Sequence, residues 1–138
     1  MKLAEALQER SSLKKSISGL RERLEKAAQG TEDPMKLLKD LDQSLNRMEY
    51  LVAAINHTND LVRADGKTMT ELIAGRDTLF FRLELYKNLI RQAGDSGNRN
   101  PVRVNMSELQ SRVDGMLQEI RSLDNLIRKT NWTRELIE

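Results

Sequence analysis

Two arginines stand where leucines would be expected. Arg10 interrupts the apolar series Leu3, Ala6, Leu13, Ile17, Leu20, Leu24 and Ala27, and Arg76 interrupts Leu72, Leu79, Leu83, Tyr86, Ile90 and Ala93. A guanidinium is a permanently charged, planar fork of donors that fits carboxylate or phosphate oxygens. Two further polar blocks end other apolar series: Asn56-His57-Thr58-Asn59, and Thr130-Asn131-Trp132-Thr133. Their amides and hydroxyls could read a ligand's donors and acceptors, and the single tryptophan could stack on a flat ligand. Each feature also has a plainer reading. An arginine in a seam can pair with a glutamate, with Asp77 or with helix-end carbonyls and so fix register. A Thr-Asn pair can simply end a helix. Trp132 can fill a core or anchor a subunit contact.

Other chemistry is hard to build from these residues. One histidine and no cysteine do not make an ordinary zinc site. His57 could serve as a general base, but no nucleophile elbow and no glycine-rich phosphate loop accompany it. Glu-x-x-His, the mark of di-iron bundles, does not occur. No enzyme activity, metal or cofactor is expected.

The elements that position these residues follow from steps of three and four between apolar residues, the helical period. The first series ends at Gly30-Thr31-Glu32-Asp33-Pro34, where Asp33 suits an N-cap and Pro34 the first helical position. The second series is Leu38, Leu41, Leu45, Met48, Val52 and Ile55. Asp65-Gly66 suits a tight turn and a tiny hairpin. Thr70 is a candidate cap for a third helix. Gly94 to Asn100 reads as a polar loop and 101–104 as a short extended piece. Asn105 and Glu108 have capping-box spacing, with Ser107 as rival cap, before Leu109, Val113, Met116, Ile120, Leu123, Ile127 and Thr130.

The halves match each other. Glu5 to Leu13 aligns with Glu71 to Leu79, pairing Arg10-Ser11 with Arg76-Asp77 at an offset of 66. Ile55 to Asn59 aligns with Ile127 to Asn131 at an offset of 72. The difference is the longer second loop. The chain therefore reads as all-α, a single helical domain over 1–138 with pseudo-repeat antiparallel hairpins at 1–60 and 70–138 forming a four-helix bundle. A short extended hairpin joins the halves. Antiparallel packing sets each arginine about two turns from its Thr-Asn pair by helical rise. It gathers Arg10, Arg76, Asp77, the two polar blocks and Trp132 at one end. The narrow seams of the helices point to a homo-oligomer.

Bulk composition narrows the partners. Hydrophobic residues make up 38% and charged residues 32%, which fits neither a disordered chain nor a membrane span. The net charge is +2 and the aromatic content 4%, so general nucleic-acid binding lacks both a basic footprint and a stacking platform. The N-terminal residues lack a signal peptide's apolar segment, and cytoplasmic residence is expected.

Met1 to Leu7 with Glu9-Arg10, Ile55 to Asn59, Leu72 to Asp77, and Lys129 to Leu136 resemble the septicolysin-like family of small bacterial and phage proteins. The resemblance spans nearly the whole chain and implies a helical fold. His57 stands where that pattern leads one to expect arginine or another polar residue. Pore formation, which the family's name suggests, is not carried over. The functions expected are a non-catalytic protein holding a small anionic, nucleotide-like ligand, or a structural adaptor, with a hydrolase of such a ligand third. By analogy, a phage protein of this kind would sequester a host immune signalling nucleotide.

Overall fold

The computed structural model describes residues 1–30, 32–95 and 105–138. Four long helices run in chain order, α1 (Leu3–Ala27), α2 (Pro34–Leu61), α3 (Met69–Asp95) and α4 (Met106–Thr133). Two short strands, β1 (Arg63–Ala64) and β2 (Lys67–Thr68), separate α2 from α3. The all-α class and the extended hairpin between the halves are as the residues predict. The extended piece expected at 101–104 and most of the polar loop lie outside the described residues, while α3 itself continues through Gly94 to Asp95.

Local signals place the boundaries. Gly30, at φ 97°, follows the end of α1 in the left-handed region that glycine tolerates. The Asp33 carboxylate accepts from the Met35 N–H at 3.0 Å, capping α2 with Pro34 at its first turn. Asp65 and Gly66 both have positive φ, as a two-residue hairpin turn requires, and β1 and β2 pair antiparallel around them. The cap of α3 is Thr68, not Thr70. The Glu71 N–H donates to the Thr68 hydroxyl at 3.1 Å, and the Glu71 carboxylate accepts from the Thr68 N–H and hydroxyl. Only Thr68 has a glutamate three residues on, which a capping box needs. At α4 the Asn105 side chain accepts from the Glu108 N–H at 3.1 Å, deciding against Ser107.

The chain forms two compact units, Met1–Val62 with Thr130–Glu138, and Arg63–Lys129. In the first, α1 and α2 pack antiparallel around Leu3, Ala6, Leu51, Ala54, Ile55 and Leu136. In the second, Leu83 of α3 packs with Val113, Met116 and Ile120 of α4, flanked by Leu79, Tyr86 and Ile90. The expected seams of α1, α3 and α4 are the observed ones. That of α2 is displaced: Leu37 and Leu51 are buried, whereas Leu38 and Leu45 are exposed. Adjacent apolar residues at 37–38 and 51–52 let α2 present either of two faces, and packing selects one. The selected seam, through Leu37, Leu41, Met48, Leu51, Ile55 and Thr58, lies 72 residues before the α4 seam throughout.

Residues 130–138 belong with the first hairpin rather than closing the second. Leu136 supplies the reason, since it is buried in the first hairpin's core.

Candidate functional site

Thr58 is fully buried at the heart of this arrangement. Its hydroxyl donates to the Ala54 carbonyl at 2.7 Å and accepts from the Ile137 N–H at 2.8 Å. The tail beyond α4 is fastened along its length. The Leu3 N–H donates to the Arg134 carbonyl and the Leu136 N–H to the Met1 carbonyl. Glu135 meets the Lys2 ammonium at 2.6 Å, and that contact, with the Met1 ammonium, holds its carboxyl below the usual carboxylate range. Thr58 therefore cannot face a ligand, because its hydroxyl is spent on the fold. Thr130, its counterpart, is also buried, and its carbonyl accepts from the Arg134 N–H and the Thr133 hydroxyl.

The arginines diverge. Arg76, in the second unit, is half-buried and neutralised: its guanidinium reaches Asp77 and, across the hairpin, Asp124, each at 3.3 Å. Arg10, in the first unit, is equally half-buried and meets no carboxylate among the described residues. Its Nε is buried without a hydrogen-bond partner among the described residues, and so is Oδ1 of Asn59. The alignment of the halves explains the contrast. Offsets of 66 and 72 put Ser11 in the place of Asp77 and Val52 in the place of Asp124. The first hairpin keeps the cation and lacks both of its anions.

The remaining candidates are distributed as follows. Asn56, His57, Trp132 and Thr133 are exposed, and Asn131 is half-buried. Trp132, at 50% exposure, does not cap a core within the chain. Arg10, Asn56 to Asn59 and Thr130 to Thr133 share the first unit, whereas Arg76 and Asp77 belong to the second. The pairing of Glu9 with Arg47 and the cluster around Leu51 set Arg10 level with 47–51. Asn59 thus lies about two to three turns nearer the hairpin's open end.

Sequence reasoning missed two features. One is the tail, signalled only by apolar Leu136-Ile137 beyond the last regular series. The other is a polar chain on the first hairpin: Arg47 grips Glu9 through two bonds of 2.8 and 3.0 Å and lies 5.4 Å from the Tyr50 ring centre. Tyr50 then donates to Glu138 at 2.6 Å. The bond from Arg47 lowers the Glu9 pKa, and the bond to Glu138 raises that of Tyr50. A groove of about 830 Å³ on the second unit passes Gly75, Thr78, Arg82, Gly115 and Glu119, and none of the expected site residues lines it. Among the described residues, no helix is long and apolar enough to cross a membrane.

Residues 10–136, which include both arginines and both Thr-Asn pairs, match a family described as Family of unknown function (DUF6847). The chain belongs to that family. The chain is similar in fold to a crystallised protein described as a functionally unknown conserved protein from Corynebacterium diphtheriae. It is 30% identical, the match covers 99% of each chain, and the TM-score is 0.89. None of the curated proteins matches the chain.

Proposed function

We propose that this DUF6847 member is a non-catalytic binding protein that holds a small anionic, nucleotide-like ligand on its first hairpin. One observation carries the reading: Arg10 is a half-buried guanidinium without an anion among the described residues, while its counterpart Arg76 has two. An uncompensated charge in a partly buried seam is costly, and a phosphate would relieve that cost. Asn59 supplies a second unsatisfied atom, an acceptor, roughly 11–16 Å along the hairpin by helical rise. That spacing suits an elongated ligand with an anionic end and a donor-bearing end, as a nucleotide has. The septicolysin-like resemblance adds a bacterial or phage setting to the proposal, in which such a protein would sequester a signalling nucleotide.

Thermal denaturation with nucleotides and inorganic pyrophosphate tests this, since a ligand that binds only the folded state raises the melting temperature. A rise is expected for at least one nucleotide, lost in Arg10→Ala and kept in Arg76→Ala. No rise with any of them, or a rise that survives Arg10→Ala, overturns the proposal. Turnover of the nucleotide, abolished by His57→Ala, would make it a hydrolase instead.

A second reading, an adaptor acting through protein contacts, draws on a different observation. Helix α3 exposes Phe81 at 66% and Leu85 at 52%, on a side its own hairpin does not use.

A further inference from the structure

The flank of the second hairpin that carries the groove of about 830 Å³ corresponds to the flank of the first hairpin that carries Glu9, Arg47 and Tyr50. The offsets of 66 and 72 put Gly75 in the place of Glu9, Glu119 in that of Arg47 and Ser122 in that of Tyr50. On the first hairpin Arg47 reaches across to Glu9 and lies against Tyr50, so that flank is closed from within. On the second, Gly75 has no side chain to meet Glu119, and the flank stays open. A methyl group on Gly75 or on Gly115 would meet no atom of the described residues within 4 Å. Packing within the chain therefore does not call for glycine at either place, although glycine inside a helix weakens it.

The groove has an apolar floor and a sparse set of polar groups, the composition of a small-molecule site. Leu79, Leu123 and Leu126 supply the floor, and Gln118 and Thr78 offer an amide and a hydroxyl. Two charges of opposite sign line the same space, Arg82 from α3 and Glu119 from α4, and neither has an ion pair among the described residues. Both also border a smaller adjoining cavity of about 280 Å³. Leu83 packs with Val113 and Met116, which sets Arg82 one turn, about 5 Å by helical rise, from the level of Glu119. The other charges are accounted for. Arg112, at the adjoining cavity, is held by Glu108 at 3.0 Å. Asp65 and Lys67 border the far end, about 20 Å from Arg82 by helical rise, with opposite signs side by side.

We infer that this groove holds a short peptide with free ends. Its ammonium meets the Glu119 carboxylate and its carboxylate meets the Arg82 guanidinium, both charge-assisted bonds. Its amide groups bond to Gln118 and Thr78, and its apolar side chains cover Leu79, Leu123 and Leu126. An anion alone leaves Glu119 unpaired, and a cation alone leaves Arg82 unpaired, so a ligand of both signs complements the groove better than either. A free amino acid carries both charges on one carbon, too close together to span two helices. The room left by Gly75 and Gly115 lets a peptide backbone come close to both helices. The groove belongs wholly to the second unit and Arg10 to the first, so this inference is independent of the nucleotide reading.

Isothermal titration calorimetry of the full chain with the tripeptide Ala-Leu-Ala tests it, using the free, N-acetylated and C-amidated forms. The free form is expected to bind. Acetylation removes the ammonium and amidation the carboxylate, and each is expected to weaken binding about tenfold or more. Glu119→Gln is expected to weaken binding of the free form and to erase the penalty of acetylation. Arg82→Gln is expected to do the same for amidation. Gly115→Leu is expected to abolish binding by filling the groove, while circular dichroism shows unchanged helix, because the place is open. No binding of the free form overturns the inference. So does binding indifferent to both caps, or to Gly115→Leu, or cap penalties that persist in the Glu119→Gln and Arg82→Gln proteins. Arg10→Ala is expected to leave peptide binding unchanged, and a loss there would overturn the assignment to the second hairpin.

Discussion

Arg10 and Arg76 occupy equivalent places in two hairpins of similar sequence, yet one charge is left open and the other closed. In the second hairpin Asp77 and Asp124 take the guanidinium, and the arginine becomes a register pin. In the first hairpin Ser11 and Val52 stand in those places, and the guanidinium meets no carboxylate among the described residues. The lesson is that equivalence of position does not carry equivalence of role. Whether an arginine is structural or available depends on two residues, one next to it in the chain and one across the hairpin. A similar divergence separates the Thr-Asn pairs. Thr58 is consumed by the tail, while Asn59, its neighbour, keeps an acceptor without a partner.

Four changes test that comparison. The largest effect on stability is expected from Thr58→Val, which keeps the shape and removes the hydroxyl. It leaves the Ile137 N–H without its acceptor, at a cost of about 1–3 kcal/mol. Faster hydrogen exchange at Ile137 should accompany a lower melting temperature. If neither changes, the hydroxyl does not hold the tail. The most direct way to erase the difference between the hairpins is Val52→Asp, which gives Arg10 the counterpart of Asp124. It should weaken nucleotide binding about tenfold, the equivalent of roughly 1.4 kcal/mol; undiminished binding would show that Arg10 does not make the contact.

Arg76→Ala is expected to cost only about 0–1 kcal/mol, because its carboxylate partners are substantially exposed. A loss of several kcal/mol in chemical denaturation would mean that the pin matters more than solvent screening allows. The smallest effect is electrostatic and depends on pH. The Lys2 contact depresses the folded pKa of Glu135 below the usual 4.5. Its contribution is therefore complete above about pH 4.5 and is lost as pH falls through the depressed folded value. Tail protection, followed by exchange at Leu136, should decline over that acid interval, and less so in Glu135→Gln. Identical profiles for the two proteins would exclude this pair as the cause.

Much of the fold was legible because helices announce themselves locally. The Asp33-Pro34 start, the Asp65-Gly66 turn and three of the four seams could be read from residue type and spacing. The α2 seam could not, since doubled apolar residues at 37–38 and 51–52 satisfy two faces equally. The cap of α3 was present as Thr68 with Glu71, but Thr70 offers a second hydroxyl closer to the apolar series. The candidate site was legible in part. The oddity of Arg10 and Arg76 was visible, and Asp77 beside Arg76 was a readable partner, but the contact with Asp124 comes from another helix and no local spacing gives it.

The sequence alone determined the helical class, the four long helices, the turn between the halves and the matched polar residues. All of these depend on neighbours within a few residues along the chain. The tertiary structure decided which face of α2 is buried, that Leu136 joins the first core, that Thr58 is spent on Ile137, and that Arg76 is paired while Arg10 is open. Those outcomes depend on groups as many as 79 positions apart, as Thr58 and Ile137 are. Their meeting is set by the burial of apolar surface across the whole unit, and no local spacing encodes it.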